Sequence, residues 1–182
     1  MRLPTLSPGE MSDDQTSIYG ESTAGKRGKV TPLLRAWIHA PDVARHASRL
    51  GAHLRYDTTL GSRLSELAIL VTARYWSAQY EWYAHKKLAL AAGLGADIVD
   101  AINHRHVPDF DDPKAQLVYE VSESLHENHN VPKLLYDKAI EMLGEKGVVE
   151  LVGLLGYYTL VSMTLNTFEV ELPEGETSDL VP

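Results

Sequence analysis

Glu66 interrupts an apolar run, standing directly before Leu67-Ala68-Ile69-Leu70-Val71, and a carboxylate in that setting is costly unless something pairs with it. Glu81 and His85 follow at a spacing of four, which places them on one helix face within reach of each other. If the chain turns back at Trp76-Ser77, Glu66 faces that pair across a helical hairpin. Two carboxylates and an imidazole in a low-dielectric pocket suit general acid–base chemistry, because nearby carboxylates raise the imidazole pKa and let a proton be shared near neutrality. On spacing alone, the same pair also fits a surface contact worth about 0.2–0.5 kcal/mol.

The elements that must position these residues read as helical almost throughout. Ser7-Pro8-Gly9-Glu10 combines a capping hydroxyl, a first-turn proline and a glutamate three residues on, so a short helix should follow and end near Tyr19. The stretch Glu21 to Lys29 is rich in glycine, serine and charge and reads as a surface loop. Thr31-Pro32 opens a helix through His39, and Pro41 restarts one to about Arg55 with Val43, Ala47, Leu50 and Leu54 as its apolar face. Ser62 is placed to cap a helix with Leu64, Leu67, Ala68, Val71 and Tyr75 on its face, and Ser77 to cap Ala78 to Ala92, closed by Gly93. Gly95 and Asp97 introduce a short helix to about Asn103, followed by a loop from His104 to Asp111. Asp112-Pro113 starts a helix through about Glu127, Pro132 opens one that Gly144 ends, and Gly147 to Phe168 forms the last. No set of alternating strands competes. The expectation is an all-α single domain of about eight helices around a central helical hairpin. Its parts are an N-terminal helix and loop over residues 1–30, a helical domain over 31–170 and a flexible acidic tail over 171–182.

Composition narrows the function. The chain has 182 residues, 44% hydrophobic and 23% charged, with a formal net charge of −8, which argues against a phosphate-backbone partner. The one basic patch, Lys26-Arg27-Gly28-Lys29, reads as a solvated loop. There is no cysteine, which excludes disulfides, thiolate metal sites and a thiol nucleophile. The N-terminal residues lack an apolar run suited to a secretory signal, so the expected location is the cytoplasm. Val148 to Leu165 carries Glu150 and falls short of a bilayer's roughly 20 apolar residues, so it reads as a buried core helix in which Gly153 and Gly156 permit close packing. The pairs His46/His53, His104/His106 and His126/His129 lack a fitting carboxylate and read as solvated or helix-terminal. Asp109, Asp111 and Asp112 lack the glycine and glutamate of a calcium loop. No metal is expected.

The segment from Glu66 to His85 resembles the core of the carboxymuconolactone decarboxylase and alkylhydroperoxidase D-like superfamily. In the peroxidase branch a glutamate is followed, after eleven residues, by a cysteine, then after two by a second cysteine, then after three by a histidine. Counted from Glu66, these positions fall on Ala78, Glu81 and His85, so glutamate and histidine match and both cysteines are replaced. Tyr80 stands where that branch often has a further proton-relay histidine. Leu3-Pro4, Met11-Ser12, Pro41-Asp42-Val43-Ala44, Glu66 to Leu70, Tyr80-Glu81-Trp82 with His85, Gly156-Tyr157-Tyr158 and Asn166-Thr167-Phe168 all look like the cysteine-free, decarboxylase-like branch, over roughly Pro4 to Pro173.

The resemblance implies a helical fold that assembles as a homo-oligomer, a trimer or hexamer, with no metal or organic cofactor and a small-molecule substrate. It implies a lyase acting on a lactone carboxylate in aromatic-compound breakdown, with His85 as acid–base group, Glu81 as its orienting partner and Glu66 as second acid or buried anchor. Arg74 would hold a substrate carboxylate, and Tyr80, Trp76 and Trp82 would wall the pocket. Two alternatives stand beside it. One is a peroxiredoxin-like antioxidant, whose dithiol cycle has no sulfur here to run on. The other is a non-catalytic relative that keeps the fold for ligand binding.

Overall fold

α4, Gly61–Tyr75, is buried at every residue from Leu64 to Arg74. A helix with no solvent face must be surrounded. In the computed structural model, which describes residues 1–24 and 30–181, α5 (Gln79–Ala91), α7 (Pro113–Asn128) and α8 (Lys133–Thr167) close around it. Outside them lie α1 (Asp13–Ala24), α2 (Pro32–Trp37), α3 (Pro41–Tyr56) and α6 (Ala96–Asn103), with a 3-10 turn at Pro8–Glu10. The described residues thus form eight α-helices and no strand, the all-α architecture the sequence pattern implies. Thr31 and Asp112 cap α2 and α7 through their side chains, as expected. α8 is long and apolar enough to cross a membrane, but 56% of its most apolar stretch is buried inside the fold.

Several elements differ from expectation for tertiary reasons. α1 runs past Tyr19 to Ala24, and Arg49 on α3 pairs with Glu21 in its last turn at 3.1 Å. The basic patch Lys26 to Lys29 lies outside the described residues. On α3 the buried face is Ala44, Ala47, Gly51 and Leu54, while Val43 and Leu50 are half exposed. The smaller residues face inward because Tyr157 of α8 needs the room: a Cβ on Gly51 would fall 2.0 Å from its hydroxyl. Gly144 breaks α8 where expected, at φ 71° and ψ 168°, a conformation essentially reserved for glycine. Of the glycine pair on α8, Gly153 packs closely on Leu54, whereas Gly156 is exposed with open space around it. Glu150, buried in α8, accepts at one oxygen from the Thr59 backbone at 2.7 Å and hydroxyl at 2.6 Å beside the start of α4, and Lys146 stands 3.6 Å from its other oxygen.

The tail expected to be frayed is instead packed. Leu180 is buried, the Trp82 indole donates to Asp179, and Asn103 both donates to the Asp179 carbonyl and accepts from the Val181 amide. Its acidic residues find Lys86 and Lys87 on α5. Composition alone could not place those partners.

Candidate functional site

The hairpin that joins α4 to α5 determines the site. Ser77 was expected to cap α5; it sits instead in the left-handed region at φ 46° and closes α4. The Ala78 amide donates to Ala73 O at 2.9 Å and the Ser77 amide to Arg74 O at 3.1 Å, the paired bonds of a Schellman ending. The chain therefore reverses within three residues, and Glu66 on α4 meets α5.

His85 sits between the two carboxylates. Its Nδ1 lies 2.6 Å from Glu66 Oε2 and its Nε2 2.9 Å from Glu81 Oε1, with all three side chains buried. An imidazolium carries an N–H on each ring nitrogen and so offers one donor to each glutamate. Burial alone would lower the imidazole pKa, but the Glu81 charge and the bonds to Glu66 and Glu81 outweigh it and push His85 up to about 9. The ring is an imidazolium at neutral pH. Tyr158 of α8 stands edge-on to it at 5.1 Å, its hydroxyl proton held well beyond the ordinary tyrosine range by burial and then by Glu81.

One side of this array opens on a cavity of about 500 Å³. Glu81, His85 and Tyr158 line it with Tyr80, Arg55 and Lys87, and Leu33, Leu88, Val161 and Leu165 supply apolar wall. Glu66 does not line it and stands behind His85. The array has a back and a front, and the front is Glu81 and His85.

Four of the sequence-predicted residues come together here: Glu66, Glu81, His85 and Tyr80. Arg74 does not line the cavity. It is buried at the far end of α4, donates to Val181 O at 2.8 Å and borders a small separate pocket with Arg105 and Glu123. Trp82 is fully buried against the C-terminal segment, and Trp76 packs edge-on against Tyr75 at 5.7 Å with its carbonyl bonded to Asn166. Both tryptophans are outside the cavity wall. Sequence reasoning missed Arg55 and Tyr158. Arg55 lies in the last turn of an amphipathic helix that carries two other arginines, and Tyr158 stands in an apolar run, so neither carries a local signal.

Of the remaining histidines, His46, His53, His104, His106 and His129 are exposed, in keeping with a solvated reading. His126 is buried, stacked on Tyr75 at 4.7 Å with Nε2 3.0 Å from the Thr72 hydroxyl. Among the described residues no group of three His, Asp or Glu side chains is arranged to hold a metal ion.

No family model matches the chain, and no curated protein matches it. Its fold does have solved counterparts. An uncharacterized peroxidase-related protein from Ralstonia eutropha JMP134, described as an alkylhydroperoxidase AhpD core, aligns over 95% of this chain and 92% of its own at 17% identity, TM-score 0.76. An uncharacterized peroxidase-related protein from Silicibacter sp. TM1040 aligns over 96% of this chain and 91% of its own at 12% identity, TM-score 0.74. The chain has the AhpD-core helical fold.

Proposed function

We propose that this chain is a carboxymuconolactone decarboxylase-like lyase, a cofactor-free acid–base enzyme acting on a small carboxylated or lactone metabolite without thiol redox chemistry. The observation that carries the reading is a cavity whose wall combines the imidazolium–carboxylate pair of His85 and Glu81 with the cation Arg55. The sequence offers no sulfur at Ala78 or Glu81, the two positions where a dithiol cycle would need it.

Loss of carbon dioxide from a lactone carboxylate breaks one C–C bond and leaves its electron pair in the conjugated ring as a dienolate. One proton must then be delivered to carbon. His85 is the proton store: Nε2 passes its proton to Glu81, Glu81 hands it to carbon, and solvent restores the imidazolium. Glu66 holds the ring from behind through Nδ1. The Tyr158 hydroxyl donates to the dienolate oxygen as charge develops there. Arg55 takes the anchoring role first given to Arg74, pairing with a carboxylate that stays on the substrate. Glu81 thus becomes the group that meets substrate, and His85 the group that charges it.

Purified protein incubated with carboxylated γ-lactones should release carbon dioxide. Glu81→Gln should cut turnover by about 10²-fold or more, and Arg55→Ala should raise KM more than it lowers kcat. Hydroperoxide consumption driven by a dithiol, with no lactone turnover, would overturn the reading. Self-association as a trimer or hexamer belongs to the same proposal. It is supported by an exposed apolar stripe on α8, Val149, Val152, Leu160 and Met163, and light scattering would test it.

A further inference from the structure

α5 carries Glu81 and His85, yet the helical core holds it on one side only. It meets α4 and α8, where Glu81 and His85 lie beside Glu66 and Tyr158, and its first turn has no side-chain cap. Trp82 and Lys86 each lie one residue beyond Glu81 and His85, turned about 100° round the helix axis. The C-terminal segment covers that flank. One carboxylate takes both residues: the Trp82 indole donates to Asp179 Oδ1 at 3.1 Å, and Lys86 pairs with Oδ2.

The segment is itself anchored to the neighbours of α5. At the end of α6, Asn103 donates to Asp179 O at 3.0 Å and accepts from the Val181 amide at 2.9 Å. At the end of α4, Arg74 donates to Val181 O, and at the start of α5, Gln79 donates to Leu180 O at 3.3 Å. Further back, Glu176 pairs with Lys87 at 3.6 Å and Pro173 forms part of the cavity wall.

We propose that residues 173–181 form a strap that sets the rotation and height of α5, with Asp179 as the positioning residue for the Glu66–His85–Glu81 array. The carboxylate that spans Trp82 and Lys86 fixes the pair one residue behind them. A turn or slide of α5 by about 1 Å would carry Glu81 and His85 together and lengthen the contact of His85 with Glu66 on α4 beyond hydrogen-bonding range, and the same movement would pull Trp82 and Lys86 off Asp179. Asn103 and Arg74 make the strap a fixed reference for that movement, because they belong to other helices.

The strap acts on the geometry of the array and holds whatever reaction the cavity performs. The test is the titration of His85 in the full chain, followed by NMR of its ring, with thermal unfolding measured in parallel. The groups facing His85 are Glu66 from α4, Glu81 from its own helix, Tyr158 from α8 and Arg55 in the cavity wall, and none is altered by changing Asp179. In Asp179→Ala the His85 midpoint should fall by about one pH unit or more, a tenfold loss of proton affinity. Asp179→Asn keeps an oxygen for the indole N–H and should retain most of the wild-type midpoint. A folded Asp179→Ala whose midpoint stays within about 0.2 of wild type, whatever its Tm, would overturn the proposal. Should that variant fail to fold, Asn103→Ala, which frees the strap at its far end, must show the same downward move, and an unchanged midpoint there overturns it equally.

Discussion

His85 and His126 are both buried against α4, yet they carry opposite charge states. His85 meets Glu66 and Glu81 and is driven up to about 9. His126 meets the Thr72 hydroxyl and the Tyr75 ring, and burial followed by the nearby His129 drives it down to about 4. Thr72 already donates to Ala68 O, so His126 Nε2 is the donor, and the lowered pKa leaves the ring neutral at pH 7. Burial is common to both. The partner decides: two carboxylates make an ion store beside a cavity, whereas a hydroxyl and an aromatic ring make a packed, silent core residue.

The largest effect should come from removing the cation between the carboxylates. His85→Ala leaves Glu66 and Glu81 buried with no cation between them, at a cost of about 3–5 kcal/mol, and scanning calorimetry at pH 7 should show a Tm lower by about 10 °C. A Tm unchanged there would break the comparison, since His85 would then not be neutralising the pair.

The next effect lies on the pH axis, where the two histidines have opposite sign. His85 has a folded pKa above its unfolded one, so its stabilisation is complete below about pH 6.5 and is lost as pH rises through about 9. His126 has a folded pKa below its unfolded one, so its contribution is complete above about pH 6.5 and is lost as pH falls toward about 4. Denaturant midpoints measured across pH should therefore decline on both sides of neutrality. His126→Leu should flatten the acid limb by about 2–3 kcal/mol and leave the alkaline limb unchanged. An acid limb unaltered by that substitution would show that His126 is not its source.

A smaller and more local effect is expected at Gly51. The Cβ of Gly51→Ala would meet the Tyr157 ring, which must shift within the cavity wall at a cost of about 1–3 kcal/mol. NMR should register the change at His85 and leave the His126 signals in place. Equal perturbation of both rings would mean that the two sides of α4 are mechanically one.

How far the sequence could be read differs between these regions. Glu66, Glu81 and His85 were legible because a charge in an apolar run and an i, i+4 spacing are local facts. His126 was not, since its spacing from His129 near a helix end looks like a solvated terminus until α4 is packed against it. Helix endings divide the same way. Gly93 announces the close of α5, but Ser77, Arg105 and Glu169 occupy the same left-handed position after α4, α6 and α8, and no glycine marks them. Arg74 and Arg55 were indistinguishable as cations. Which of them reaches the cavity depends on how α3 and α4 are rotated, and Gly51 and Tyr157 decide that for α3.

The sequence by itself determined the lack of a thiol by composition, and the helical periodicity, the break at Gly144 and the candidates Glu66, Glu81 and His85 by neighbours within about one or two helical turns. Only the tertiary structure decided that Glu66 stands behind and Glu81 in front, that Arg55 and Tyr158 complete the cavity wall, and that the acidic tail is bound along α5. Those outcomes come from contacts between residues from 19 to 107 positions apart in the chain. Such contacts depend on which faces of separate helices meet, and no local pattern encodes that.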